Sequence, residues 1–176
     1  MKIGRGLDIL IRYVLLVLVA LPNLYLFYFL FAPLTLFPVF FLLNLFYDAI
    51  LNNSFILVNN SFTIEIIDAC VAGSAYYLLT IFNLAIPKIK LKKRLKMLGF
   101  VFGSFLVLNI LRIFLLSMLY VNGSTWFDFT HQLFWYLISI VFVIGIWFLE
   151  VKLFKIKQIP FYDDIKFLYK KSSLKK

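Results

Sequence analysis

Residues 88–119 read KIKLKKRLK followed by MLGFVFGSFLVLNILRIFLLSML: six cationic side chains in nine residues, then an apolar run from Met97 to Leu119 that holds a single charge, Arg112. About 20 apolar residues cross the hydrocarbon core of a bilayer, so this stretch predicts a membrane span with a strongly basic flank. Toward the N-terminus, an apolar run from Ile66 to Ile86 stops before Pro87. Two earlier runs, Ile9 to Phe31 and Leu34 to Leu51, are separated at Pro33; the first contains Arg12 and Pro22, the second Pro38, Asn44 and Asp48. Toward the C-terminus, a fifth run extends from His131 or Leu133 to Leu149.

The composition agrees. Of 176 residues, 64% are hydrophobic, with 22 phenylalanines and 10 tyrosines. Soluble domains usually hold about 45–50% apolar residues, and so short a soluble chain has too little interior for these rings. The expected architecture is one domain over residues 1–176, an all-α integral membrane bundle of about five to six transmembrane helices. The net charge of +10 lies between and after the apolar runs. That placement fits cytoplasmic loops beside anionic lipid and not a nucleic-acid footprint. The first run lacks a small-residue cleavage site and is expected to be retained.

Residues 52–67 break the pattern. Phe55–Val58 and Phe62–Ile66 are β-branched or aromatic, separated by Asn59-Asn60-Ser61, which predicts a β-hairpin before the Cys70 helix. An open hairpin cannot face lipid, so it belongs at the surface or against protein. Positive-inside logic places Lys88–Lys96 and a basic tail, residues 150–176, in the cytoplasm. The hairpin and the loop at 120–130 then face outward, as do three Asn-x-Ser patterns beginning at Asn52, Asn59 and Asn122. Five spans with an inner C-terminus demand an outer N-terminus, whereas Lys2, Arg5 and Arg12 argue for an inner one. Either the Leu34–Leu51 run fails to cross, an extra crossing hides in the first fifty residues, or the first span disobeys its flanking charges.

Three residues share one expected depth. Cys70 lies just inside the third run, Arg112 about 10 Å short of the outer end of the fourth, and His131 opens the fifth. A charge inside an apolar span costs at least ~2.5 kcal/mol, which an interior partner or a bound carbonyl or anion offsets. Asn109, one turn earlier, is expected to orient Arg112 or add a second donor. Asp68-Ala69-Cys70-Val71-Ala72-Gly73-Ser74 surrounds the thiol with small residues. That stretch, Gly73 included, permits close backbone approach, and Ser74 is a candidate hydrogen-bonding neighbour. A nearby helix N-terminus and a cation favour thiolate. His131 is a candidate acid–base, with Asp128 and Thr130 to orient it and Trp135 to pack beneath it. Plainer roles exist for each: a small buried hydrophobe for Cys70, headgroup snorkelling for Arg112, a helix cap for His131. A single cysteine and a single histidine exclude an intrachain disulfide, a thiolate cluster and a multi-histidine metal site. No metal or other cofactor is expected.

Ala69-Cys70-Val71-Ala72-Gly73, Asn109-Ile110-Leu111-Arg112-Ile113 and His131 at the start of the last long span together resemble the exosortase/archaeosortase family of membrane cysteine transpeptidases. The resemblance covers most of residues 50–150. Val71 and Ala72 separate Cys70 from Gly73, unlike the familiar Cys-Ser-Gly form, and Trp135 stands where many relatives carry glycine; these departures point to an archaeal-type branch. The resemblance implies Cys70, Arg112 and His131 as catalytic residues near the extracytoplasmic face of the cell membrane. It also implies substrates that are precursor proteins with a C-terminal motif, a transmembrane segment and a basic end, and a membrane lipid amine as acyl acceptor. Two alternatives stay open: a non-enzymatic membrane assembly or scaffold protein, and a small-solute transporter. The sequence leaves the recognition motif, the acceptor (lipid amine or water) and the oligomeric state undetermined.

Overall fold

The structure is a computed structural model that describes residues 4–171. Along the chain run α1 (Arg5–Ala20), α2 (Tyr25–Asn44), β1 (Ala49–Asn52), β2 (Phe55–Val58), β3 (Phe62–Glu65), α3 (Asp68–Val71) and α4 (Gly73–Leu84). They are followed by α5 (Leu91–Val121), α6 (Phe127–Leu133), a π-helical turn (Phe134–Ile138), α7 (Ser139–Leu153) and α8 (Tyr162–Lys171). The protein is mostly helical. Three helices are long and apolar enough to cross a membrane: Tyr25–Asn44, Leu91–Val121 and the continuous Phe127–Leu153, each holding an 18-residue stretch with a mean hydropathy above 2. Their outward faces carry large exposed apolar groups such as Phe29, Phe37, Val107, Leu115 and Phe148, a surface suited to lipid and costly in water.

Two expected boundaries move. The first break falls at Leu21–Leu24, and α2 continues through Pro33 and Pro38. Pro22 is followed by Asn23 and Leu24, both in the left-handed region, where asparagine is tolerated. Pro33 has no such turn residue beside it, and prolines persist inside apolar helices where neighbours compensate the lost bond. The second change concerns Ala49–Leu51, read as the end of a span but forming β1. Asn44 Oδ1 accepts the Ala49 N–H and Asp48 O accepts the Asn59 N–H. The expected hairpin is therefore a three-stranded antiparallel meander in the order β1-β2-β3. Asn53, Asn59 and Asn60 take positive φ in its turns.

Contacts fix the direction of each helix. Call the end holding the meander the sheet end, and the opposite end, holding Lys88–Lys96, the basic end. α5 starts at the basic end, where Arg94 donates to the carbonyls of Asn83 and Ile86. It finishes at the sheet end, beyond which Asn122 donates to the Tyr47 hydroxyl. α2 runs parallel to it: Phe31 meets Phe102 and Phe46, just past α2, meets Phe114, at centroid distances of 5.5 and 5.7 Å. α4 descends from the sheet end, and α1 rises against it, with Arg12 bonded to the Leu84 carbonyl and Tyr77 donating to the Leu16 carbonyl. So α1 and α2 point the same way and together cover the height of the bundle once.

The two ends of the described chain meet. Arg12 Nη2 lies 2.8 Å from Asp164 of α8, and both side chains are buried. The tail expected from residue 150 therefore begins later, because Glu150 sits fully buried inside α7, and Asp164 of the following segment is held by α1. Lys2 and residues 172–176 lie outside the described residues.

Between the polar ends lies an aromatic layer. Tyr76 stacks on Phe31 at 3.6 Å and meets Phe102 and Phe105 edge-on at 5.8 and 4.9 Å. Toward the basic end, Asn83 Nδ2 donates to Glu150 Oε2 at 3.3 Å, while Glu150 Oε1 and Asn83 Oδ1 have no partner among the described residues. Glutamine at 150 keeps the acceptor and adds an N–H that can serve the Asn83 oxygen. Glu150→Gln is therefore expected to match or exceed wild-type thermal stability in detergent. Glu150→Ala leaves Asn83 short of a partner and is expected to cost about 1–3 kcal/mol.

Candidate active site

Cys70 lies on α3, a single turn entered from β3 through Ile66 and Ile67. In this four-residue turn the Asp68 carbonyl accepts the Ala72 N–H, the later carbonyls are left over as at any helix end, and Asn109 of α5 supplies a donor to them. Its Nδ2 donates to the Cys70 carbonyl at 2.9 Å and reaches the Val71 carbonyl at 3.4 Å. The expected service of Asn109 to Arg112 is thus replaced by a different one: it fixes the backbone that presents the thiol. The run expected to be one helix from Ile66 to Ile86 is broken immediately after, where Ala72 adopts φ 60°, a left-handed conformation that costs a residue with a Cβ roughly 1–2 kcal/mol.

Gly73, directly after the break, leaves room for a neighbouring ring. A Cβ on it would lie 2.6 Å from Cε1 and 2.8 Å from Cζ of Tyr28, so the tyrosine ring of α2 rests on the α3–α4 junction. Gly73→Ala is expected to push that ring away, costing about 1–3 kcal/mol and changing the rate at which iodoacetamide alkylates Cys70. The double change Gly73→Ala with Tyr28→Ala, which clears the collision, is expected to recover the wild-type alkylation rate. Ser74 is exposed and does not line the cavity described below.

Arg112 is only 7% exposed. Its Nη1 donates to Ser139 Oγ at 2.9 Å, and that hydroxyl donates to the Phe134 carbonyl at 2.7 Å. Phe134 opens the π-helical turn, an irregularity that occurs often at functional sites. Through Ser139, Arg112 is latched to the helix carrying His131. Arg112 Nε is buried and has no partner among the described residues, an unsatisfied donor on a side chain that lines the cavity described next.

His131 is exposed at the last turn of α6. Its ring stacks on Phe127 at 5.6 Å with an interplanar angle of 4° and tilts against Trp135 at 6.2 Å. Aromatic faces position the imidazole, as the spacing to Trp135 predicts. Asp128 is exposed, and among the described residues neither it nor Thr130 makes a side-chain hydrogen bond to His131.

Cys70, Arg112, His131 and Trp135 line one cavity of about 230 Å³ at the sheet end. One wall is a run of four consecutive residues, Thr63 to Ile66; facing it are Ile113, Leu116, Ser117 and Tyr120 of α5. A nucleophile, a buried cation with a spare donor and an imidazole thus share a largely apolar pocket. No known protein family, no curated protein and no solved structure matches this chain. The site's chemistry therefore has to be read from its own side chains.

Sequence reading missed Ser139, Tyr28 and the β3 wall. Ser139 carried a signal, since it is the one serine in the apolar run from Leu133 to Leu149, and a lone hydroxyl there marks a polar partner nearby. Tyr28 and the β3 wall carried none, because their roles arise only from the packing of distant segments.

Proposed function

We propose that this chain is a membrane-embedded cysteine transpeptidase or protease that cleaves C-terminal sorting signals from exported precursor proteins, as in the archaeal-type branch of the exosortase/archaeosortase family. The observation that carries the reading is the single cavity shared by the chain's only cysteine, its only histidine and a buried arginine with an unpartnered Nε.

The steps follow from these groups. Cys70 Sγ attacks the scissile carbonyl carbon while His131 takes the thiol proton. Arg112 donates to the oxygen as it gains charge. On collapse, the C–N bond breaks, His131 returns the proton to the departing nitrogen, and the N-terminal portion remains as a Cys70 thioester. An amine acceptor, in our reading a membrane lipid, then forms an amide and regenerates the thiol; water in its place gives a carboxylic acid.

The membrane arrangement belongs to the same proposal. α1 and α2 make one broken crossing, α3 with α4 a second, α5 a third, and α6 through α7 a fourth. The basic end, with Lys88–Lys96, then lies in the cytoplasm together with both ends of the described chain, and the cavity opens near the extracytoplasmic face. Four crossings satisfy the N-terminal charges that five did not.

A second reading, a non-enzymatic assembly protein, draws on the Arg112–Ser139 link, which ties α5 to α7. The deciding experiment is acid-quenched mass spectrometry of the protein from native membranes. The expected result is a hydroxylamine-labile peptide on Cys70 whose last residue precedes a transmembrane segment with a basic end. A Cys70 that stays unmodified while precursors mature normally favours the assembly reading.

A further inference from the structure

We infer that the precursor binds by adding a strand to the free edge of β3, so that the backbone of its segment upstream of the scissile bond is read by Thr63 and Glu65. This rests on the proposed peptide chemistry and names how its substrate is held.

The edge is identifiable from the ladder. β3 pairs with β2 in the register Phe55↔Glu65, Ile56↔Ile64, Leu57↔Thr63 and Val58↔Phe62. The Ile66 N–H donates to the Ser54 carbonyl at 2.9 Å, continuing that register by one place. In an antiparallel pair, alternate residues turn both peptide groups toward the partner strand. Ile66, Ile64 and Phe62 therefore face β2, and Thr63 and Glu65 turn their N–H and C=O groups the other way. In the strand order β1-β2-β3, no strand lies on that side of β3 among the described residues.

The cavity lies along this edge. Successive side chains of a strand point to opposite faces, so a cavity that touches Thr63, Ile64, Glu65 and Ile66 in succession runs along the backbone edge and not over one face. Exposed edges are usually blunted because they recruit other strands; this one is kept open in the pocket that holds the thiol. Four residues beyond Ile66 the same chain reaches Cys70, so a peptide laid on the edge arrives at the nucleophile. The complementary charge is also in place, because the Arg112 guanidinium group belongs to a side chain that lines the same pocket and suits the electron-rich oxygen of a peptide carbonyl. Main-chain bonds supply affinity in this mode, and pockets under alternate side chains supply specificity. The floor formed by Ile113 and Leu116 selects an apolar side chain at one alternate position.

The test compares backbone with side-chain changes, using as substrate the peptide recovered from Cys70 extended by its native transmembrane tail. Thr63→Pro and Glu65→Pro each delete an N–H that points away from β2 and so leave the ladder bonds intact. Both are expected to raise KM about tenfold or more, the order of one lost hydrogen bond, with iodoacetamide alkylation of Cys70 unchanged. Thr63→Ala and Glu65→Ala keep the N–H and are expected to raise KM less than proline at the same position. Proline variants with wild-type KM overturn the inference. If a proline variant alters Cys70 alkylation, N-methyl scanning of the peptide on the wild-type protein decides: loss at every second residue supports edge binding, and uniform or absent sensitivity overturns it. Processing that persists in Cys70→Ala removes the peptide chemistry itself, whereas a dead Cys70→Ala with an indifferent edge removes only this inference.

Discussion

Cys70→Ala is expected to stop precursor maturation, with a fall of at least about four orders of magnitude in turnover. Removing the nucleophile of a covalent mechanism leaves only the modest acceleration from binding and oxyanion stabilisation. The structural cost is small: Cys70 is half-buried and its thiol makes no hydrogen bond among the described residues, its carbonyl being the group that Asn109 holds. Alanine preserves that backbone contact, so the variant is expected to insert normally and to melt within a degree or two of wild type. Immunoblotting of precursor and mature forms in membranes gives the readout. Normal maturation by correctly inserted Cys70→Ala would end the enzymatic account. Cys70→Ser is the softer comparison, since a hydroxyl can retain some turnover.

Arg112→Gln is expected to lower kcat by about 10²–10³, the usual consequence of losing one donor to a developing oxyanion, with KM changed far less. Glutamine can still donate toward Ser139 Oγ, so the tie between α5 and α7 is partly kept, while the charge and the free Nε are lost. Arg112→Lys retains the charge without the planar fork and is expected to fall between glutamine and wild type. Ser139→Ala separates the two roles. It frees Nη1 but leaves the guanidinium in place, and the Phe134 carbonyl keeps the backbone N–H of residue 139. Under the transpeptidase reading, Ser139→Ala retains more activity than Arg112→Gln at similar thermal stability. Under the assembly reading, both variants destabilise the protein in parallel and neither changes a maturation rate. Single-turnover kinetics alongside thermal unfolding distinguish the two patterns.

The site was more legible in the sequence than the path of the chain. Arg112 stood out because a charge in an apolar run needs a reason, and Cys70 and His131 followed from being the sole residues of their kinds near the same expected depth. The small residues around Cys70 were read as permitting close backbone approach, and at Gly73 it is the ring of Tyr28 that lies close. The first fifty residues were harder. Three prolines offered three possible breaks, and only Pro22 had turn-forming neighbours strong enough to use. Asn44 and Asp48 looked like polar interruptions of a span, whereas they mark the end of α2 and the entry to β1. A short apolar strand following an apolar helix leaves no periodicity by which to separate them. Asn109 was placed on the correct face but given the wrong partner, since its contact with the Cys70 carbonyl depends on how α3 meets α5. Three-dimensional packing, not local propensity, decided each of these.

The rings of Phe31, Tyr76, Phe102 and Phe105, stacked across the middle of the molecule, have a consequence for the cell's energetics. A hydrolytic or aminolytic centre needs moisture and mobile protons, and a moist channel running through a membrane would discharge the ion gradient on which ATP synthesis depends. By closing the space between α2, α4 and α5 with π-faces and edges, the protein can keep the pocket at its sheet end damp, as the proposed chemistry requires, while remaining an electrical insulator.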